Sequence, residues 1–159
     1  MLRDAHIDVL IDVRAFPRSR TNAAFNLEIL PAFLGGHQIG YEHMPALGGR
    51  RSRQFEIDAA CNALWRVSSF HNYADYALGD AFQEALTALV LRGETAKTAL
   101  MCSEAVWWRC HRRIIVDYLL FNGHPVQHLM APGRSQAASP TPGAVFNARK
   151  KVLYPAWRV

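Results

Sequence analysis

The sequence contains few cysteines and no long apolar run. Its three cysteines, Cys61, Cys102 and Cys110, are odd in number and too few for a disulfide scaffold, which favours a reducing, cytoplasmic setting. No apolar run approaches the roughly 20 residues that a membrane span needs. Residues 1–8 lack the hydrophobic segment of a signal peptide. We therefore expect a cytoplasmic protein without a membrane partner, and these features do not predict its oligomeric state.

Lysine is also scarce, so arginine carries most of the positive charge. Of 18 basic residues only Lys97, Lys150 and Lys151 are lysines, the remaining 15 are arginines, and the formal net charge is +5. A guanidinium can bind phosphate or carboxylate through two parallel hydrogen bonds. A phosphate-bearing small molecule or a nucleic acid is therefore the expected partner. A GC-rich genome explains the number of arginines equally well, but not their clustering beside motifs.

The order of the apolar segments predicts one α/β domain. Buried strands are predicted at 7–13, 38–44, 99–101 and 125–130. Helices are predicted at 27–34, 57–65, 103–121 and, as a tandem pair, within 70–91. This alternation is typical of a three-layer, mostly parallel, Rossmann-like sheet flanked by helices. We place this single domain at 1–130 and predict that 131–159 form a flexible linker and a basic, aromatic tail.

Reactive and basic side chains cluster behind three of the predicted strands, within residues 14–20, 43–53 and 102–113. In open α/β sheets, ligands bind beyond the carboxyl ends of the strands. We therefore expect these three segments to converge on one site.

Cys102 is the best candidate for a nucleophile. It is predicted to end a strand just before a helix, where backbone N–H groups and the helix dipole lower the pKa of a thiol. Glu104 and His111 are the candidates for proton transfer, so the predicted catalytic residues are Cys102, Glu104 and His111. The competing interpretation is that Cys102 is a small buried residue at a strand end.

The predicted anion-binding residues are Arg14, Arg18, Arg20 and Arg112. Other residues expected in the cleft are Asp12, Tyr41, His43, Tyr73 and Cys110. Structural zinc sites usually contain a C-x₂₋₄-C pair, and the eight-residue step from Cys102 to Cys110 does not match that pattern. We therefore predict neither a metal nor another cofactor.

Several motifs together resemble the family described as domain of unknown function 488. They are Asp12-Val-Arg14 with Pro17-Arg-Ser-Arg20, Phe25-Asn26, Tyr41-Glu-His43 with Leu47-Gly-Gly49, Phe70-His-Asn-Tyr73, Leu100-Met-Cys-Ser-Glu104, Cys110-His-Arg112, Gly123 and Val126-Gln-His128. The resemblance covers about residues 7–130 and implies an α/β fold with these residues at its site. It also implies an opening strand that ends in Gly-His-Ser and precedes the first residue of this chain. It implies no particular reaction.

Three functions are compatible with these residues. The first is an enzyme that acts on a nucleotide, a nucleic acid or another phosphate-bearing substrate, with Cys102 as a nucleophile or redox thiol. The second is a nucleic-acid-binding module without catalysis. The third is a structural network in which the cysteines, His111 and the arginines only stabilise the fold.

Overall fold

A computed structural model describes residues 1–157 of the chain; Arg158 and Val159, at the end of the predicted basic tail, lie outside the described residues. Its strands are β1 (Val9–Asp12), β2 (Gly40–His43), β3 (Thr98–Met101), β4 (Gln127–Ala131), β5 (Arg134–Ala137), β6 (Val145–Phe146) and β7 (Val152–Leu153). Its α-helices are α1 (Leu30–Gly35), α2 (Ser68–Ala77), α3 (Asp80–Thr95) and α4 (Arg112–Phe121). No helix within residues 1–157 is both long and apolar enough to cross a bilayer.

β1 is the central strand of a parallel sheet with the order β2-β1-β3. It pairs along its whole length with both neighbours, and all four of its residues are buried. A strand that is covered on both faces is apolar on both faces, which explains why the segment 7–13 lacks a simple alternating pattern. The strands predicted at 7–13, 38–44 and 99–101 are confirmed, with shorter bounds for the first two.

Helices cover both faces of this sheet. Leu10 packs with Leu30 and Leu34 of α1 in a small apolar cluster. Val9 and Ile11, which point to the opposite face, belong to the main core. The main core also contains the buried aromatic side chains of α2, α3 and α4, namely Tyr73, Phe82 and Tyr118. The protein therefore has a mixed α/β fold.

Two predicted helices differ from the observed ones. α1 begins at Leu30 and not at Leu27, so Pro31 lies within its first two positions, where a proline removes no helical hydrogen bond. The helix predicted at 57–65 is only a 3₁₀ turn, Ala59–Asn62. The carbonyl of Cys61 accepts a backbone hydrogen bond from Tyr154, and this pairing with the chain end replaces further helical bonds. The tandem helices predicted within 70–91 are confirmed as α2 and α3.

The strand predicted at 125–130 is present as β4, but it is not hydrogen-bonded to the parallel sheet. β4 pairs with β5 in a separate antiparallel sheet. The intervening turn contains Gly133 at φ +67°, a conformation that glycine adopts without strain. A strand can join its immediate neighbour through such a short turn, whereas a parallel pair requires a long crossover. Local pairing therefore prevails here, and the parallel sheet has three strands.

Residues beyond 130 contribute to the main core. β5 falls within the segment predicted to be a linker, and β6 pairs with β7. Val152 and Tyr154 are completely buried in the main core. The end of the chain thus packs back onto the domain, and the boundary predicted at residue 130 stays a prediction.

Candidate functional site

The loops that follow the three parallel strands meet at their carboxyl ends. His43 donates from Nε2 to the carbonyl of Arg14 at 2.8 Å, joining the loop after β1 to the end of β2. His111 donates from Nε2 to the carbonyl of Val13 at 3.1 Å, joining the segment after β3 to the same loop. A Cβ at Gly48 would lie only 2.9 Å from the Cα of Ala15, so this contact is also close. The expected convergence of the three segments is confirmed.

Two thiols and one imidazole form a compact cluster at this meeting point. Nδ1 of His111 lies 3.9 Å from Sγ of Cys102 and 3.7 Å from Sγ of Cys110. All three atoms lie within 4.8 Å of one another. Cys110 is buried, whereas Cys102 and His111 are partly exposed. We call Cys102, Cys110 and His111 the Cys-His cluster.

Cys102 does not lie at the start of a helix. The segment predicted to be helical from residue 103 contains a single 3₁₀ turn, Trp107–Arg109, and α4 begins only at Arg112. The indole of Trp107 stacks on the imidazole of His128 with ring centroids 4.1 Å apart. Tertiary packing of this kind overrides a modest helix propensity. The prediction of a continuous helix over 103–121 is therefore wrong, and Cys102 does not directly precede a helix in the chain.

Neighbouring side chains lower the pKa of Cys102 instead. The hydrogen bond from the Cys110 thiol is the main cause, and the interaction with His111 and the backbone N–H of Glu104 lower the pKa further against the opposing effect of burial. The same bond to Cys102, together with burial, raises the pKa of Cys110. The two thiols titrate as a pair that loses its first proton readily and its second with difficulty.

The orientation of His111 is fixed by its second nitrogen. A backbone carbonyl only accepts hydrogen bonds, so the bond to Val13 requires a proton on Nε2. In the neutral ring, Nδ1 then presents its lone pair to both sulfur atoms. The ring also packs against Tyr73, with centroids 4.8 Å apart, and the hydroxyl of Tyr73 donates to the carbonyl of Leu47 at 2.6 Å. Tyr73, predicted in the cleft, thus supports the imidazole.

Gly49 is not among the individually predicted site residues, although it belongs to the family motif Leu47-Gly-Gly49. A Cβ at this position would lie 2.8 Å from Nδ1 of His111, well inside ordinary contact distance. The glycine is therefore needed for space beside the imidazole. Local sequence does not reveal this contact, because the ring that Gly49 approaches is more than sixty positions away along the chain.

We expect Gly49→Ala to lower the free energy of unfolding by about 1–3 kcal/mol, as typical overpacking does. The imidazole cannot withdraw easily, because Val13 holds it on one side and Tyr73 packs against it. Urea denaturation measures the effect. Gly35→Ala is the matched control, since no atom lies within 4 Å of its added Cβ. Equal stability of the two variants would show that position 49 tolerates a methyl group.

Asp12, Arg14 and Tyr41 form a buried network behind the cluster. Arg14 donates from Nη2 to Asp12 Oδ2 at 2.6 Å and to the carbonyl of Phe25 at 2.8 Å, and Tyr41 donates to Asp12 Oδ2 at 2.7 Å. Arg14 is only 4% exposed and Asp12 is fully buried. Burial opposes ionisation of Asp12, but the bonds from Arg14 and Tyr41 prevail and lower its pKa. Burial and the bond to Asp12 raise the pKa of Tyr41.

The other predicted anion-binding arginines lie in more accessible places. Arg18 is exposed and donates to Glu28 at 3.1 Å, and Arg20 is also exposed. Arg112 donates from Nε to Sγ of Cys110 at 3.2 Å, and its Nη2 reaches the carbonyl of Glu104. The structure therefore brings Arg112 to the Cys-His cluster, while Arg14 is engaged by Asp12.

A cleft of about 1100 Å³ opens beside the cluster, along β3 and α4. Cys102, Glu104 and Arg112 lie on its wall, together with Trp107 and His128. The exposed side of the Cys102 thiol thus faces a space that is large enough for a small ligand. The side chain of Glu104 is exposed at the rim.

The fold and the site define a mixed α/β protein with a Cys-His cluster at the carboxyl end of a parallel sheet. The family described as Domain of unknown function DUF488 matches residues 1–119. This match covers most of the chain, so the protein belongs to that family, as the motifs predict. No curated protein and no solved structure matches the chain.

Proposed function

We propose that the protein is an enzyme that acts on a phosphate-bearing substrate, with Cys102 as the nucleophile and His111 as its general base. The arrangement of these two side chains carries the proposal: Nδ1 of His111 lies 3.9 Å from Sγ of Cys102, and Val13 fixes the ring in the tautomer that can accept the thiol proton. An imidazole beside a thiol, oriented by a third group, is the arrangement of an activated cysteine nucleophile.

Arginines support the choice of substrate. Arg112 lies on the cleft wall beside Cys102, and Arg18 and Arg20 are accessible on the loop after β1. We assign these three residues to binding of phosphate, and Glu104 at the cleft rim to proton transfer to the leaving group. Arg14 has a different part, because its ion pair with Asp12 holds the loop that supplies the Val13 carbonyl.

We also propose that the chain forms one three-layer, Rossmann-like domain. Helices on both faces of the β2-β1-β3 sheet support a single three-layer, Rossmann-like domain. A reactive thiol requires a reducing environment, and the three cysteines of the chain are unpaired. We therefore place the enzyme in the cytoplasm.

The proposal is tested by comparing Cys102→Ser with wild type on a panel of nucleotides, sugar phosphates and single- and double-stranded oligonucleotides. We expect wild type to turn over at least one of them, and the variant to lose activity by about 10³-fold or more, because a serine hydroxyl is a far weaker nucleophile than a thiolate. Cys61→Ser is the matched control and should retain activity, since Cys61 lies outside the cluster.

Circular dichroism and thermal unfolding check that Cys102→Ser is folded. Wild-type turnover by that variant would exclude Cys102 as the nucleophile. Binding of the oligonucleotides without turnover of any compound would favour the nucleic-acid-binding module.

A further inference from the structure

We propose that Cys102, Cys110 and His111 bind a zinc ion, and that the bound ion blocks the Cys102 thiolate. The zinc-bound cluster is a second state of the site, distinct from the state that carries out the proposed reaction. Three features support zinc binding: the spacing of the three ligand atoms, the orientation of the imidazole, and the hydrogen bonds made by Nε2 of His111 and by Sγ of Cys110.

The spacing of the ligand atoms matches tetrahedral zinc. With Zn–S of about 2.3 Å and Zn–N of about 2.0–2.1 Å, ligands at tetrahedral angles place sulfur and nitrogen about 3.6 Å apart and two sulfurs about 3.8 Å apart. Nδ1 of His111 lies 3.7 Å from Sγ of Cys110 and 3.9 Å from Sγ of Cys102. The distance between any two of the three ligand atoms is at most 4.8 Å. Only small movements of the side chains are needed to enclose an ion.

The imidazole already presents the correct atom. Nδ1 of His111 lies near both sulfurs, and its lone pair is free because the ring proton is on Nε2, which donates to the carbonyl of Val13. A zinc-bound histidine almost always donates its other N–H to a carboxylate, a carbonyl or water, which fixes the ring and raises its basicity. Val13 provides such an acceptor before any ion arrives.

The buried sulfur has donors of its own. Arg112 donates to Sγ of Cys110 from its backbone N–H at 3.5 Å and from Nε at 3.2 Å. Hydrogen bonds and positive charge of this kind stabilise the second thiolate, which zinc binding requires.

The chemistry of the ligands favours zinc over the hard divalent ions. Thiolate and imidazole are preferred by zinc, whereas magnesium and calcium require oxygen ligands. Three protein ligands leave the fourth tetrahedral position to water or to an anion from the cleft. In this state one lone pair of the Cys102 sulfur is bound to the metal, which withdraws charge from the thiolate and weakens it as a nucleophile.

The C-x₂₋₄-C criterion missed this site because the backbone, and not the spacing, brings the ligands together. Cys110 is extended, at φ −122° and ψ 145°, and His111 is helical, at φ −57° and ψ −19°. This abrupt change of direction turns two adjacent side chains toward the same point. Cys102 approaches it from the end of β3, across the loop that replaces the predicted helix.

The site is tested by titrating the reduced, metal-free 159-residue chain with zinc in the presence of a chromophoric chelator. We expect one ion per chain, and we expect Cys102→Ser and His111→Asn each to weaken binding more than about 100-fold, beyond the loss typical of an outer-shell partner. Cys61→Ser is the matched control and should bind as wild type. Cobalt provides a second readout, because thiolate-bound, four-coordinate cobalt gives an intense visible absorption that Cys102→Ser and His111→Asn should weaken and Cys61→Ser should keep.

Blocking of the thiolate is measured as alkylation of Cys102 by iodoacetamide, followed by mass spectrometry. Stoichiometric zinc should slow the reaction at Cys102 at least about tenfold, and a chelator should restore it. Tight binding that persists in Cys102→Ser, or unchanged alkylation of Cys102 in the zinc-loaded protein, would overturn the proposal. If zinc binds as expected while no substrate is turned over, the zinc site stands and the proposed enzyme activity fails.

Discussion

Replacing Asp12 by asparagine is expected to lower the free energy of unfolding by about 3–5 kcal/mol at pH 7, the usual cost of removing one partner from a buried ion pair. The carboxylate is fully buried and receives bonds from Arg14 Nε, Arg14 Nη2 and the Tyr41 hydroxyl. An amide carries no charge, so the guanidinium of Arg14, itself 4% exposed, would be left buried and uncompensated.

The effect should depend on pH in a defined direction. The folded-state pKa of Asp12 is below its ordinary value, so the carboxylate contributes its full stability above about pH 4 and loses it as the pH falls through the folded-state pKa. The stability gap between wild type and Asp12→Asn should therefore be constant from pH 7 to about pH 5 and shrink below about pH 4. Urea denaturation at several pH values measures this gap.

The exposed pair of Arg18 and Glu28 provides the matched control. Its side chains are 77% and 59% exposed, and pairs of this kind contribute about 0–1 kcal/mol. Glu28→Gln should therefore change stability by less than about 1 kcal/mol. If Asp12→Asn is no more destabilising than Glu28→Gln, the ion pair with Arg14 is not structural, and Arg14 becomes available again as an anion-binding residue.

Replacing Tyr154 by alanine should also cost about 3–5 kcal/mol, the range for removing a large aromatic side chain from a core. Tyr154 is fully buried, and its hydroxyl donates to Asp117 Oδ2 at 2.7 Å. The variant leaves a cavity, and it leaves Asp117 Oδ2 on α4 without its hydrogen-bond donor. Burial raises the pKa of Asp117 despite its bonds from Thr141 and Tyr154, so losing the hydroxyl should raise it further.

Trp157→Ala is the matched control for Tyr154→Ala, because Trp157 is an aromatic residue of the same tail and is 64% exposed. We expect it to change the free energy of unfolding by less than about 1 kcal/mol. Urea or thermal denaturation followed by circular dichroism compares the two variants. Similar small effects would mean that residues beyond 130 are the dispensable tail that composition predicts.

The sequence was sufficient to predict the parallel strands and the meeting of their loops. Apolar segments bounded by turns locate β1, β2 and β3, and a parallel sheet necessarily brings their carboxyl ends to one edge. The family resemblance was also predictable from the sequence, because each of its motifs is a short local segment, and the match to the family model confirms it. These features depend on short segments and on a general rule of topology.

The remaining features depend on contacts between distant residues. The stacking of Trp107 on His128 favours a 3₁₀ turn where a continuous helix is predicted. No local signal in the sequence reveals this contact. The burial of Tyr154 likewise requires knowledge of Asp117 and Asn62, which lie 37 and 92 positions away. A composition rich in proline, glycine and serine indicates a linker, but the buried residues Thr141, Val152 and Tyr154 hold this segment against the domain.

The hydrogen bond from His111 to the Val13 carbonyl couples local unfolding of the Cys-His cluster to unfolding of the parallel sheet. Val13 directly follows the central strand, and its own N–H is bonded to Met101 at the end of β3. Turning the imidazole away would leave a buried carbonyl unpaired at this junction. We therefore expect the cluster to open only together with the sheet, and its amide protons to exchange with solvent as slowly as those of β1.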